Sequence, residues 1–317
     1  MKVLNTLYLK SILASMALFS TLHAGAQISE IRNGNPVQSK QFEGVVSLFY
    51  LDKSSTTGFY ESQYKCSASL VSPTRVMTAT HCIASPYTGE VYTKPIYVVI
   101  AKNFANPDTV FKKNNFRSFA EMAKEGLIVR KVNSSNFIFH PTFVPNESRF
   151  SQNFIDFSFL KLNKAIRSVK PLVLANRATA NKIRQSSKIK VLGYGVTHYT
   201  EDGTPILAET LQHVNLNFYP LQACKNLSIM SIVQDNNMCV RETEPDAAKR
   251  KGTCRGDSGA PWMIFNAKES RYEIVGVHSF GLGERGNCFA GEVAVAERIT
   301  AFPAWVDSVA ETGYSIK

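Results

Sequence analysis

Several common classes are excluded by what the chain lacks. Beyond the first 26 residues no apolar run is long enough to cross a bilayer, so no membrane span is expected in the mature protein. None of the 6 cysteines or 6 histidines stands in a C-x-x-C or H-x-x-x-H spacing, so no zinc-ligand pattern is present and no metal is expected. No acidic ladder marks a calcium loop. Internal repeats and low-complexity tracts are missing. Long 3.6-residue apolar periodicity is nearly absent, which argues against a helical bundle.

What remains is a chain of 317 residues, 44% hydrophobic and 19% charged. It is too long and too apolar for a disordered tail, and long enough for one large domain or two ordinary ones. Lysine and arginine number 36 against 25 acidic residues, a formal charge of +11. That balance admits nucleic acid, anionic membrane or acidic protein as partners without choosing among them. No nucleic-acid-binding motif accompanies it.

Lys2 and Lys10 flank the start of an apolar stretch centred on Ile12 to Phe19, and Ala24-Gly25-Ala26 follows. This is the pattern of a secretory signal peptide over residues 1–26, cut after Ala26. The protein is expected outside the cytosol, in an extracellular or periplasmic space where disulfides form.

Past residue 40 the chain reads as short apolar runs cut by Gly, Pro, Asn and Ser. Val45 to Tyr50, Ile96 to Ile100, Phe154 to Leu162, Ile189 to Leu192 and Ile274 to Val277 have strand length. The expected class is all-β, a barrel or sandwich. One amphipathic helix closes the chain, with Phe302, Trp305, Val306 and Val309 at i, i+3, i+4, i+7. Phe116 to Val132 is mixed in pattern and reads as a surface insertion with a helical turn or two.

Three motifs carry chemistry: Thr78-Ala79-Thr80-His81-Cys82, Asp156-Phe157-Ser158-Phe159-Leu160-Lys161-Leu162 and Gly256-Asp257-Ser258-Gly259-Ala260-Pro261. A serine hydroxyl is a poor nucleophile at neutral pH and needs a base in reach, for which imidazole is suited. The imidazole in turn needs a carboxylate to fix its tautomer. Each motif alone has a plainer reading: a structural His beside a Cys, or an Asp as a turn or cap residue. The three together, in the order His, Asp, Ser, match one known catalytic arrangement.

On these motifs the chain resembles the trypsin/chymotrypsin-like serine proteases over nearly all of its length past residue 30. Phe139-His140-Pro141, Gly193-Tyr194-Gly195, Ser279-Phe280-Gly281 and Trp305 are similar to further segments of that family. The resemblance implies two six-stranded antiparallel β-barrels, about 31–172 and 173–317, with the site between them and a C-terminal helix. It implies His81, Asp156 and Ser258 as the catalytic triad. The backbone N–H groups of Gly256 and Ser258 would form the oxyanion hole, and Ser279 would bond to Asp156. No cofactor is implied. Protein or peptide substrates are expected, a proteinaceous inhibitor is admitted, and the chain is expected to be a monomer.

Six cysteines allow 15 pairings. The resemblance selects Cys66–Cys82, Cys224–Cys239 and Cys254–Cys288. It also implies a zymogen: Ile31-Arg32-Asn33-Gly34 stands where family members begin, although Arg32 and Asn33 depart from the usual pattern. Residues 27–30 would be a short propeptide cut after Glu30, after which the amine of Ile31 pairs with Asp257.

Where trypsin-like members carry a pocket-base Asp, this chain has Gly252, followed by Thr253 and later Arg255. Ala294 falls on the far pocket wall, and Gly281 belongs to the substrate-binding strand. His278 precedes Ser279, a placement similar to that of the glutamyl endopeptidases. A substrate carboxylate leaving water needs donors, which His278 and Thr253 supply, with Arg255 adding charge. The expected preference is Glu before the scissile bond. The alternatives are elastase-like cleavage after small aliphatic residues and a non-catalytic homologue that binds glycan or lipid. The segment between Ser85 and Asn136 is longer than in compact family members and reads as a solvated surface loop, with extension of the binding cleft or contact with a partner as the alternatives.

Overall fold

The computed structural model describes residues 30–147, 154–227, 232–246, 249–282 and 293–316. The expected signal peptide and residues 27–29 of the expected propeptide lie outside them, as does Cys288. Among the described residues no helix is long and apolar enough to cross a membrane.

Among the described residues two large, mainly antiparallel sheets carry the fold, as the strand-length apolar runs require, with a two-stranded ribbon (Val196–Tyr199 and Pro205–Leu207) beside them. In the first lie β1 (Val45–Lys53), β2 (Tyr60–Ser72), β3 (Arg75–Thr78), β4 (Ile96–Ile100), β5 (Ile128–Val132), β6 (Phe137–Ile138) and β7 (Ser158–Lys161). Their order is β5-β4-β1-β2-β3-β7-β6. In the second lie β8 (Lys188–Gly193), β9 (Gln212–Tyr219), β10 (Asn237–Arg241), β11 (Pro261–Asn266), β12 (Arg271–Leu282) and β13 (Val293–Arg298). Here the order β9-β8-β11-β12-β13-β10 closes on itself, because β10 also pairs with β9. The second sheet is therefore a closed six-stranded barrel. The first differs from the six-stranded expectation: it has seven strands, and no described pairing closes it.

The seam between the sheets is a shared core. Leu48, Leu70, Met77 and Phe159 of the first sheet pack in one buried cluster with Leu192, Met263, Ile274 and Val277 of the second. Leu172 sits at the crossing. Its N–H donates to Leu70 O, and the next two residues, Val173–Leu174, pair with β12.

The run Phe154 to Leu162 is a strand only over Ser158–Lys161. Phe157 is fully buried, with Trp305 and Phe302 rings 4.9 and 5.7 Å away. Burying such a side chain contributes about 1.5–3 kcal/mol, and it fixes the residue before it, Asp156. Trp305 belongs to the expected C-terminal helix, found at Pro303–Val309.

The segment between Ser85 and Asn136 is not a solvated loop. Strand β4 lies within it and is apolar on both faces, so both faces need cover. Ile96, Val98 and Ile100 pack into the shared core. Tyr97 and Val99 face the other way, into a cluster with Phe49, Leu51, Phe111, Phe116, Met122 and Leu127. Two short helices, Pro107–Lys113 and Phe119–Lys124, form that cover. Each starts at a cap that the sequence carries: Asn106 Oδ1 accepts from Asp108 N–H, and Ser118 Oγ from Glu121 N–H.

Asn106 also docks the segment onto the second barrel. It is fully buried, and its Nδ2 donates to Ala208 O at 2.6 Å and to Tyr194 O at 3.4 Å. Replacing Asn106 with Ala removes the cap and strands two buried carbonyls. The expected loss is about 1–3 kcal/mol of unfolding free energy, read by urea denaturation; an unchanged midpoint would contradict the docking role.

Candidate active site

His81 lies in a short helical turn, Thr80–Cys82, directly after β3. Cys82 is bonded to Cys66 on β2, which clamps this turn to the sheet. His81 and Asp156 meet twice: His81 N–H donates to Asp156 Oδ1 at 2.9 Å, and His81 Nδ1 lies 2.8 Å from Asp156 Oδ2. With Nδ1–H committed to the carboxylate, Nε2 is left as the basic nitrogen. Ser279 Oγ donates to the same Oδ2. Thr80 Oγ1 donates to Ile155 O at 2.9 Å and so holds the backbone just before Asp156.

Asp156 is buried, with 3% of its surface exposed. Burial pushes its carboxyl up, but the charge of His81 and the hydrogen bonds from His81 and Ser279 outweigh it. The net result is a carboxyl held below its ordinary range. Asp156 is therefore an anion throughout the neutral range, placed to stabilise an imidazolium.

Ser258 follows Asp257 in a turn of the second barrel. Its carbonyl accepts from Ser67 N–H of β2 at 2.9 Å, and Gly256 O accepts from the same N–H at 3.0 Å. The Ser258 loop is thus tied to the strand that carries Cys66. Gly256 has φ +93°, a conformation L side chains avoid, and a Cβ there would meet the Tyr64 ring.

Two peptide planes in this loop are fixed by their carbonyls. Arg255 O accepts from Val196 N–H at 2.7 Å, and Asp257 O from Ala260 N–H at 2.8 Å. In a trans peptide the N–H points opposite to the C=O. The N–H groups of Gly256 and Ser258 are thereby turned away from these partners. Neither donates to a protein acceptor among the described residues. Among the described residues they are two unpaired donors, one two residues before the serine and one its own.

Asp257 is fully buried, accepting from Cys254 N–H at 2.7 Å and Gly195 N–H at 3.1 Å. Burial pushes its carboxyl up to about 7 despite those two donors. Gly195 is required here, because a Cβ would lie 2.6 Å from Asp257 Oδ1. Ile31 is also fully buried, in the second barrel's apolar cluster with Val191 and Val275. Arg32 O accepts from Gly252 N–H, and Asn33 Nδ2 donates to Arg250 O at 2.8 Å.

The remaining expected residues divide. His278 is buried and stacks on Trp262 at 5.9 Å. Its N–H donates to Ala260 O, and its O accepts from Gly259 N–H, which places it beside the serine loop. Burial and the neighbouring His81 lower its pKa to about 3, so it is neutral. His278 Nδ1 and Thr253 Oγ1 are buried with no hydrogen-bond partner among the described residues. Gly252 is buried, Gly281 is half-buried and pairs with Ala294, and Arg255 is exposed. Ala294 lies in the apolar cluster that holds Ile31.

Cys224 and Cys239 are bonded, linking the helix Leu221–Leu227 to β10. Cys254 is disulfide-bonded too, and its expected partner, Cys288, lies outside the described residues. The potential metal-donor cluster among the described residues, Cys66, His81 and Cys82, has both sulfurs spent in a disulfide.

Comparison with known proteins now decides the family. The trypsin family model matches residues 31–306. The chain belongs to the trypsin family. It is 23% identical over 314 residues to CLIP domain-containing serine protease B8 of Anopheles gambiae, covering 95% of this chain and 72% of that protein. It is 21% identical to the clotting factor G beta subunit of Tachypleus tridentatus, covering 95% and 93%. It is 26% identical to glucanase inhibitor protein 2 of Phytophthora infestans, covering 77% and 78%. These names specify no residue preference for cleavage.

Two features of this chain escaped sequence reasoning: Asn106, which braces Tyr194 beside Gly195, and Glu297, described below. For Asn106 the Asn-Pro-Asp start of a helix was the available signal.

The lowered Asp156 carboxyl stabilises the fold at pH values above the ordinary carboxylate range, and that contribution is lost as pH falls through the lowered native value. Replacing Ser279 with Ala removes a charge-assisted bond. It should lower the unfolding free energy at neutral pH by about 1.5–3 kcal/mol, with the difference shrinking in acid. Urea titrations at both pH values check it; a difference that does not depend on pH would contradict it.

Proposed function

We propose that this chain is a secreted serine endopeptidase that works through a Ser258–His81–Asp156 triad and an acyl-enzyme. The observation that carries the reading is buried Asp156 bonded twice to His81, with the Ser258 loop tied through Ser67 to the strand whose Cys66 is bridged to Cys82, the residue after His81. Ser258 Oγ attacks the scissile carbonyl while His81 Nε2 takes its proton. The oxygen of the tetrahedral intermediate enters the space faced by the Gly256 and Ser258 N–H groups. His81 then protonates the leaving amine, and water repeats the sequence on the acyl-enzyme. Residues 1–26 are assigned as the signal peptide, about 31–172 as the half-barrel and about 173–317 as the closed barrel.

The chain is proposed to be a zymogen cut after Glu30. The family match begins at Ile31. In the uncut chain Ile31 is buried at φ 42°, a strained conformation for a β-branched residue that costs about 1–3 kcal/mol. Cutting the bond before Ile31 abolishes that torsion and frees an amine. Asp257, buried with no cation paired to it among the described residues, is the proposed acceptor.

The sign of the linkage follows. In the uncut chain Asp257 keeps a proton up to about 7 that the unfolded chain loses near 3.8, so stability falls as pH rises through that window. Pairing with the amine lowers the Asp257 value and removes that fall. The pair raises the amine above its ordinary value of about 8, so its own contribution is full below that value and lost as pH rises through the raised one. Urea titrations on chains beginning at Gln27 and at Ile31 should differ in this way. Identical pH dependence would contradict the pairing.

A preference for Glu before the scissile bond is supported by two buried, unpartnered groups, His278 Nδ1 and Thr253 Oγ1. Neutral His278 offers an N–H to an entering carboxylate. Two other readings have support of their own. Gly252 and Thr253 suit small aliphatic residues, and one relative bears the name of an inhibitor. Ser258→Ala should abolish hydrolysis; if glycan or lipid binding were the activity it would persist. A peptide panel varied at the residue before the scissile bond should favour Glu over Gln. His278→Ala should reduce Glu cleavage about 10- to 100-fold, the worth of a hydrogen bond to a charged group. Equal cleavage after Glu and Gln would overturn the pocket reading.

A further inference from the structure

Strand β13 runs Val293-Ala294-Val295-Ala296-Glu297-Arg298. Its fifth residue is an acid in an otherwise buried strand, and only 3% of Glu297 is exposed. Glu297 Oε1 accepts from the backbone N–H of Asp156 at 3.2 Å. Asn236 Nδ2 donates to Glu297 Oε2 at 2.7 Å, and the Asn237 side chain also bonds to the carboxyl. Asp156, Ser279 and Glu297 line one small, partly open pocket of about 10 Å³, space for a single water.

Two buried carboxyl residues, Asp156 and Glu297, thus line the same small pocket. None of the ion pairs among the described residues involves Glu297. The groups around it are Asp156 from the segment before β7, Asn236 and Asn237 at β10, and Ser279 and buried, neutral His278 on β12. Neighbouring Arg298 faces solvent, and exposed Asp235 is paired with Lys225. Among the described residues no cation is placed to offset a second buried anion, and the charge of Asp156 disfavours ionisation of its neighbour.

We propose that Glu297 is a positioning residue for the triad: as a neutral acid it holds the Asp156 backbone, and its ionisation disorganises Asp156 on the alkaline side. Burial, and then the charge of Asp156, push its carboxyl up to about 8, in keeping with that geometry. Asp156 touches His81; Glu297 acts only through Asp156. The proposal rests on the triad reading above.

The test uses the chain beginning at Ile31 and two variants. In Glu297→Gln the side chain is permanently neutral and still accepts from Asp156 N–H, with the Asn236 amide turned over to accept from the new NH2. Each pH profile of kcat is scaled to its own maximum. The alkaline limb of Glu297→Gln should lie at least one pH unit above that of wild type. Glu297→Leu removes the acceptor and should lower kcat about tenfold or more at every pH, with KM little changed; Gln restores most of that loss. Superimposable profiles for Gln and wild type, or a Leu variant with wild-type kcat, would overturn the proposal.

A second readout needs no activity. Between 4.5 and about 8 native Glu297 keeps a proton that the unfolded chain has lost, so wild-type stability falls with rising pH there. The stability of Glu297→Gln relative to wild type should grow across that window. A flat difference overturns the proposal even if the chain hydrolyses nothing, whereas a growing difference without hydrolysis faults the protease reading instead.

Discussion

A single buried negative charge, the carboxylate of Asp156, sets the terms for the rest of the site. An isolated carboxylate taken out of water is strongly destabilising unless donors replace the lost hydration. Here His81 supplies two donors and Ser279 a third. The residue itself is held from before by Thr80, from behind by Glu297 and from after by the burial of Phe157. These groups come from both sheets, so the carboxylate is satisfied only when the two sheets are docked. The fold and the chemistry depend on the same contacts.

The docking has a small number of ties. Ser67 on β2 is the central one: its N–H serves the carbonyls of both Gly256 and Ser258, and its Oγ accepts from Tyr194 N–H. The Cys66–Cys82 bridge beside it clamps the His81 turn. The segment between Ser85 and Asn136 adds a brace from the outside, through Asn106 to the Tyr194 and Ala208 carbonyls.

Much of this was legible in the residues. Strand-length apolar runs separated by turn residues point to an all-β chain, and the family of His81, Asp156 and Ser258 follows from their order and flanking residues. The bridges at Cys66 and Cys224 followed from the resemblance rather than from spacing. In the Ser85–Asn136 segment the expected strand Ile96–Ile100 and a helix within 116–132 are present; only the solvated-loop reading fails, because its lysines are on the surface while its apolar residues alternate between two cores. The clue was Ile96 to Ile100, five apolar residues in a row, which need cover on both faces. The end of Phe154 to Leu162 nearest the triad is not a strand, because side-chain bonding of Asp156 overrides its apolar pattern. Glu297 was hidden for another reason: an acid one residue before an arginine reads as surface, and only the pairing of β13 with β10 turns it inward.

The account stands or falls on whether the Asp156–His81 couple activates Ser258. Treating the chain that begins at Ile31 with a fluorophosphonate, and locating the adduct by mass spectrometry, reads this without any assumption about substrate. One adduct per chain on Ser258, absent from His81→Ala and much slowed in Asp156→Asn, is the predicted result. Ser258 left unmodified, or modified at the same rate with His81 removed, would contradict it.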